Sequence, residues 1–204
     1  MSTLQNDNKE VINTEETKTK EKPNFFKWLF ESFIWLAVIL FIIDVTTKFI
    51  AYYNLSTTTS TVVPGFTWLF QLTLTFNTGA AWGFGGDSLV GQILLCILSY
   101  AAAAIIIIYF VKKQKVLTKT LKAILMVCLA GDMGNLIDRT FALMPNLPTI
   151  YQNGVVDFID VTPLIPGFGI FNFADSCLCV GILMLVIYEI VVSIRDDRKE
   201  SKKS

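Results

Sequence analysis

Four apolar runs constrain this chain more than any other feature: roughly Trp28–Ile50, Val90–Val111, Leu121–Ile137 and Phe173–Ile194. Each is about the length a bilayer core demands, near 20 residues at about 1.5 Å per residue. The third is short unless its helix continues through Lys119 and Asp138, so that span is placed at 119–138. Soluble domains are typically about 45–50% apolar. This chain is 53% hydrophobic with a mean hydropathy of +0.55. The expected fold is an all-α membrane protein of four transmembrane helices.

Basic residues set the orientation, because cytoplasmic flanks carry the excess of Lys and Arg. Five precede the first span (Lys9, Lys18, Lys20, Lys22, Lys27). Five lie around the connection between spans two and three (Lys112, Lys113, Lys115, Lys119, Lys122), and five follow the last (Arg195, Arg198, Lys199, Lys202, Lys203). Of the seventeen, only Lys48 and Arg139 remain. Both termini are therefore expected in the cytoplasm, and the connections 51–89 and 139–172 on the outer side. Residues 1–24 are polar, mixed in charge and poor in aromatics, and read as a disordered cytoplasmic tail. They do not read as a cleavable signal peptide, since the apolar run after them is too long and no small-residue cleavage site closes it. Residues 25–194 are the expected membrane domain and 195–204 a charged cytoplasmic tail. The basic clusters lack interleaved aromatics, so topology and anionic lipid account for them better than nucleic acid does.

The outer connections carry their own signals. Thr61–Phe76 is rich in Thr, Val, Phe and Trp around Pro64-Gly65, and reads as two short strands. Its aromatics Phe66, Trp68, Phe70 and Phe76, with Trp82, suit a small extracytoplasmic β-rich region at headgroup level. The second connection holds Pro145, Pro148, Pro163 and Pro166 and reads mostly as loop, with Gly167-Phe168-Gly169 before the last span.

The chain has no histidine. That removes Ser-His-Asp and Cys-His catalysis and the commonest metal ligand. Cys96, Cys128, Cys177 and Cys179 fall inside apolar segments without zinc or disulfide spacing, and read as small buried hydrophobes. Attention shifts to the carboxylates, which cost about 2.5–3.5 kcal/mol each near a bilayer centre unless paired or wet. Asp44 and Lys48 stand at i, i+4, with Asp44 roughly 9 Å below the outer end of its span. They read as a structural ion pair or as support for a site. Asn135, Asp138 and Arg139 close the third span after Gly131 and Gly134, suiting either close helix packing or substrate contact. Asp132, one turn earlier, has no assigned role. Asn77 in Asn77-Thr78-Gly79 reads as a turn or a site residue. Asn172 and Asp175 have capping-box spacing for the last span. Asp157 is a loop acid or, within the strand-like Val155–Ile159, an acid whose burial raises its pKa. Asp157 and Asp175 together offer a pair able to share a proton and activate water.

In order, Asp44-x-x-x-Lys48, Phe76-Asn77-Thr78-Gly79-Ala80-Ala81-Trp82, Gly134-Asn135-Leu136-Ile137-Asp138-Arg139, Val155-Val156-Asp157-Phe158 and Phe171-Asn172-Phe173-Ala174-Asp175-Ser176 make a specific pattern. It resembles the lipoprotein signal peptidases (signal peptidase II), membrane aspartic peptidases of bacteria, over roughly residues 28–194. The resemblance implies that Asp157 and Asp175 are catalytic, and that Asn77, Asn135, Arg139 and Asn172 line the site. Asp44, Lys48 and Asp138 would support them. It implies a substrate prolipoprotein whose cysteine carries diacylglycerol, cut just before that cysteine at the outer face of the cell membrane. The expected partners are such substrates and membrane lipid, for a monomer without cofactor or metal. Val45, Ala130 and Asp132 depart from the family's usual residues, and Phe141–Ile150 reads as an insertion that alters the outer lid. An ion-coupled carrier would want acids near mid-bilayer, and the central parts of spans two and four carry none. A non-enzymatic scaffold, the other rival, would keep its function without Asp157 and Asp175.

Overall fold

The computed structural model describes residues 24–79, 88–144, 150 and 154–202. Four helices are long and apolar enough to cross a membrane: α2 (Ile34–Asn54), α3 (Leu89–Lys113), α4 (Lys119–Ala142) and α5 (Phe173–Glu200). A short helix, α1 (Phe25–Ser32), precedes them. Strands β1 (Thr61–Val62), β2 (Gln71–Asn77) and β3 (Val155–Asp160) form one antiparallel sheet in the order β1-β2-β3. The four-span architecture with a small sheet is the one expected.

The first span is corrected at its start. Trp28 belongs to α1, and the chain breaks at Phe33, whose φ of 61° is left-handed. Phe33 donates its N–H to the Phe30 carbonyl at 3.4 Å, closing α1 as a left-handed cap does. Ser32 Oγ donates to the Leu29 carbonyl at 2.8 Å and accepts from the Ile34 N–H at 3.3 Å, so one hydroxyl serves both helix ends. Phe25, Phe26 and Phe30 of α1 are left exposed.

Helix α4 is central, packing along α2, α3 and α5. Its lining is protein rather than lipid, so it can carry glycines and polar residues that an exposed span would exclude. That is why its apolar run looks short, although the helix reaches Ala142. Close approach to α5 depends on small residues. A Cβ on Gly134 would collide with the Asp44 carboxylate and lie 2.9 Å from Ala174 Cβ, and one on Gly181 would lie 2.6 Å from Cys128 Sγ.

Both strands expected in the first connection form, as β1 and β2, but the longer partner of β2 comes from the second connection. Strand β3 pairs with β2 in the register Gln71↔Asp160, Leu72↔Ile159, Thr75↔Asp157, Phe76↔Val156 and Asn77↔Val155, with an irregularity between Leu72 and Thr75. Leu74, Ile150 and Val156 form the core beneath the sheet, joined by Phe49, Tyr52 and Leu55. Trp82 and residues 145–149 of the Phe141–Ile150 insertion lie outside the described residues; Phe141 and Ala142 themselves complete α4. Of the cysteines, Cys96, Cys128 and Cys177 are buried as expected, whereas Cys179 is exposed on α5.

Candidate active site

Asp157 and Asp175 are brought together by one backbone pairing. Phe171 accepts from the N–H groups of Phe158 (3.0 Å) and Ile159 (2.7 Å), and donates to the Ile159 carbonyl at 3.0 Å. This folds 161–170 out as a loop and lays Asn172 beside β3. Helix α5 begins there, with a reciprocal capping box. Asp175 N–H donates to Asn172 Oδ1 at 2.9 Å, and Asn172 N–H donates to Asp175 Oδ2 at 3.0 Å.

The side-chain amides then link the two acids. Asn172 Nδ2 donates to Asp157 Oδ1 at 2.7 Å and to Asn135 Oδ1 at 3.0 Å. Asn135 Nδ2 donates to Asp175 Oδ1 at 2.8 Å. Asn77 also hydrogen-bonds Asp157 through its side chain. Only its amide nitrogen can donate, and its Oδ1 separately accepts from the Gly79 N–H at 2.9 Å. Asp157 is 1% exposed and Asp175 is half-buried. Burial, and then the charge of Asp175, push the Asp157 carboxyl up to about 7, against the opposing hydrogen bonds from Asn77 and Asn172.

Beneath this pair lies a buried cation. Lys48 Nζ stands 2.8 Å from Asp44 Oδ2 and 2.9 Å from Asp138 Oδ2, and donates to the Gly134 carbonyl (3.2 Å) and Asn135 Oδ1 (3.3 Å). Each flanking acid holds a backbone N–H next to a dyad residue. Asp44 Oδ1 accepts from Ala174 N–H at 2.8 Å, and Asp138 Oδ2 accepts from Val156 N–H at 3.3 Å. The expected Asp44–Lys48 pair is thus one arm of a triad.

Arg139 stands apart from that network. With Asn77, Thr78, Gln92, Ala142 and Gly154 it lines a small cleft beside the sheet. Its Nε is buried without a hydrogen-bond partner among the described residues. Gly154 has a φ of 107° there, and a Cβ would fall 2.7 Å from the Asn77 carbonyl oxygen. Asp132, without a role in the sequence reading, is buried between α3 and α4, hydrogen-bonded to the Ser99 side chain and attracted by Arg139. Ser99 carries no sequence signal, being one hydroxyl in an apolar span. Asp160 is a further residue that sequence reasoning misses. It accepts from Gln71 Nε2 (2.7 Å), Thr73 Oγ1 (3.0 Å) and Thr162 Oγ1 (2.6 Å), fastening the end of β3 to β2. Burial pushes its carboxyl up, but the hydrogen bonds from Thr162, Gln71 and Thr73 outweigh this and hold it below the usual value. No group of three His, Cys, Asp or Glu placed to hold a metal occurs among the described residues.

Residues 36–191 match the family described as signal peptidase (SPase) II. This chain belongs to the signal peptidase II family. It is 34% identical over 152 residues to the lipoprotein signal peptidase of Bacillus subtilis, covering 74% of this chain and 88% of that one. It is 31% identical to the lipoprotein signal peptidase of Halalkalibacterium halodurans, covering 82% and 95%. A solved bacterial membrane enzyme superposes with a TM-score of 0.64 at 28% identity, covering 78% of this chain and 88% of that one. The chain is accordingly a multi-pass cell-membrane protein and an aspartic peptidase, removing signal peptides from prolipoproteins.

Proposed function

We propose that Asp157 and Asp175 are the catalytic pair of this signal peptidase II, hydrolysing the peptide bond just before a diacylglyceryl-modified cysteine. The observation that carries this reading is the amide chain Asp157–Asn172–Asn135–Asp175. It fixes two carboxyls at the outer end of α4 and α5, with Asp157 poised to hold a proton near neutral pH. Asp157 gives its proton to the scissile carbonyl oxygen while Asp175 takes one from the attacking water. As the tetrahedral intermediate collapses, Asp175 passes its proton to the leaving nitrogen and the hydroxyl proton returns to Asp157. The pair ends as it began. Asn77 and Arg139 line the adjacent cleft and hold the extended peptide there, and such orientation contributes several kcal/mol to lowering the barrier. Lys48, Asp44 and Asp138 support the two segments that carry the acids.

The test is incubation of the purified protein with a diacylglyceryl-modified prolipoprotein, followed by mass measurement of both products. The expected new N-terminus is the lipidated cysteine. A cut elsewhere, or equal cleavage of the unlipidated precursor, would overturn this specificity.

In the proposed orientation both termini and the α3–α4 connection are cytoplasmic and the sheet lies outside, and the protein acts as a monomer. In sequence, fifteen of the seventeen Lys and Arg precede the first span, cluster at the α3–α4 connection or follow the core of the last span. Single cysteines at Ser2 and Ser204 should react with a membrane-impermeant label only from the cytoplasmic side, and those at Thr58 and Asn146 only from outside. Outside labelling at either terminus would reverse the orientation.

A further inference from the structure

A second cavity, of about 380 Å³, lies toward the end of the helices remote from the dyad. It is the gap between α2 and α3, which both pack along α4. Its walls run from Ile34 to Phe41 on α2, from Ile107 on α3 to Gln114 just past its end, and from Met126 to Met133 on α4, with Trp28 of α1 at its end. Each stretch covers two helical turns, about 10 Å. The walls are apolar apart from Gln114, which accepts a hydrogen bond from Trp28 Nε1 at 3.1 Å.

The surface around that end is cationic. Lys27 precedes Trp28, Lys112 and Lys113 form the last turn of α3, and Lys115 follows Gln114. All four are exposed, and none is ion-paired among the described residues. Glu31, on the same short helix as Lys27, is exposed and pairs with none of them. An apolar slot capped by an indole, with lysines beside it that are unpaired among the described residues, is complementary to a lipid with a negative headgroup. It does not suit the substrate's own transmembrane segment. Such a helix has to run about 30 Å, whereas this slot covers about a third of that and stops at Met133, before the Gly134–Arg139 stretch that carries the site.

We propose that the cavity holds one acyl chain of an anionic phospholipid, with its phosphate among Lys27, Lys112, Lys113 and Lys115. The occupied leaflet is the one remote from the dyad, the cytoplasmic one in the proposed orientation. The inference goes beyond the peptidase reading and does not depend on which residues cleave.

The experiment is native mass spectrometry of the full chain released from detergent, after titration with phosphatidylglycerol or with phosphatidylcholine of identical acyl chains. One equivalent of phosphatidylglycerol should be retained in preference to phosphatidylcholine by about tenfold or more, given the four exposed lysines. The variant combining Lys112→Gln, Lys113→Gln and Lys115→Gln should lose that preference while still binding both lipids weakly. Ala37→Phe, which fills the slot, should lower retention of both. Equal retention of the two lipids by the wild type, or an unaltered preference in the lysine variant, would overturn the proposal. A photo-crosslinking residue at Met126 covers the case in which Ala37→Phe does not fold. A phospholipid adduct during turnover supports the inference, and an adduct with the signal peptide instead sinks it.

Discussion

Asp157→Asn and Asp175→Asn should each abolish prolipoprotein cleavage while leaving membrane insertion and abundance at wild-type levels. Asparagine keeps the shape of the carboxyl but cannot give or take the proton the reaction exchanges. Folding should be unharmed or slightly improved. The Asp157 carboxyl is raised to about 7, above the roughly 3.9 of an unfolded aspartate. Ionising it therefore opposes folding, and that penalty grows as pH rises from about 4 toward 7. The Asp157→Asn variant carries no such penalty, and Asp175→Asn removes the charge that helps to create it. In the proposed mechanism the same shift predicts that wild-type turnover falls as pH rises through about 7, where Asp157 would lose the proton assigned to it there. Asp197→Asn, exposed near the far end of α5, is the control and should remain active. Turnover of either dyad variant within about tenfold of wild type, a barrier change of only about 1.4 kcal/mol, would rule the pair out as the catalytic one.

The two asparagines show why local patterns could not separate structural from functional readings. In sequence, Asn172 reads as a helix cap or a site residue, and Asn77 as a turn or a site residue. Each is both. The side-chain oxygen of Asn172 caps α5 while its amide nitrogen holds Asp157 and Asn135. The side-chain oxygen of Asn77 closes the turn to Gly79 while the same side chain also holds Asp157. A primary amide has a donor end and an acceptor end, so one use leaves the other open. The spans were legible because the length and polarity demands of a bilayer are written along the chain. The break at Phe33 was not, because apolar residues continue through it and nothing marks a phenylalanine for left-handed φ. Pairing of β2 with β3 was hidden for a different reason. Each strand reads locally, but the choice of partner is made by the approach of two connections separated by α3 and α4. Likewise, Asp44 and Lys48 advertise each other at i, i+4, whereas Asp138 joins them only through the packing of α4 against α2.

Lys48→Met should cost more stability than a typical single substitution, and should remove activity with it. Methionine fills much of the space of the lysine stem, so the change is mainly in charge. Lys48 is 2% exposed, and Asp44 and Asp138 are 1% and 2% exposed. Removing the cation leaves two buried carboxylates without their partner, a kind of change that costs about 3–5 kcal/mol. Activity suffers through geometry as well. Asp44 holds the Ala174 N–H at the start of α5, and Asp138 holds the Val156 N–H beside Asp157. Lys48 therefore ties together the two segments that present the acids, and without it each acid is free to drift from the other. Adding Asp44→Asn and Asp138→Asn to Lys48→Met separates the two effects. With the uncompensated charges gone, the triple variant should recover much of the lost thermal stability, since neutral replacement of a whole buried ion cluster is often tolerated. It should remain far below wild type in kcat, because amides do not restore the charged contacts that fix Ala174 and Val156. Thermal unfolding in detergent and single-turnover cleavage would be measured on all three proteins. If Lys48→Met unfolds at the wild-type temperature and cleaves at a wild-type rate, the triad neither stabilises the fold nor positions the acids.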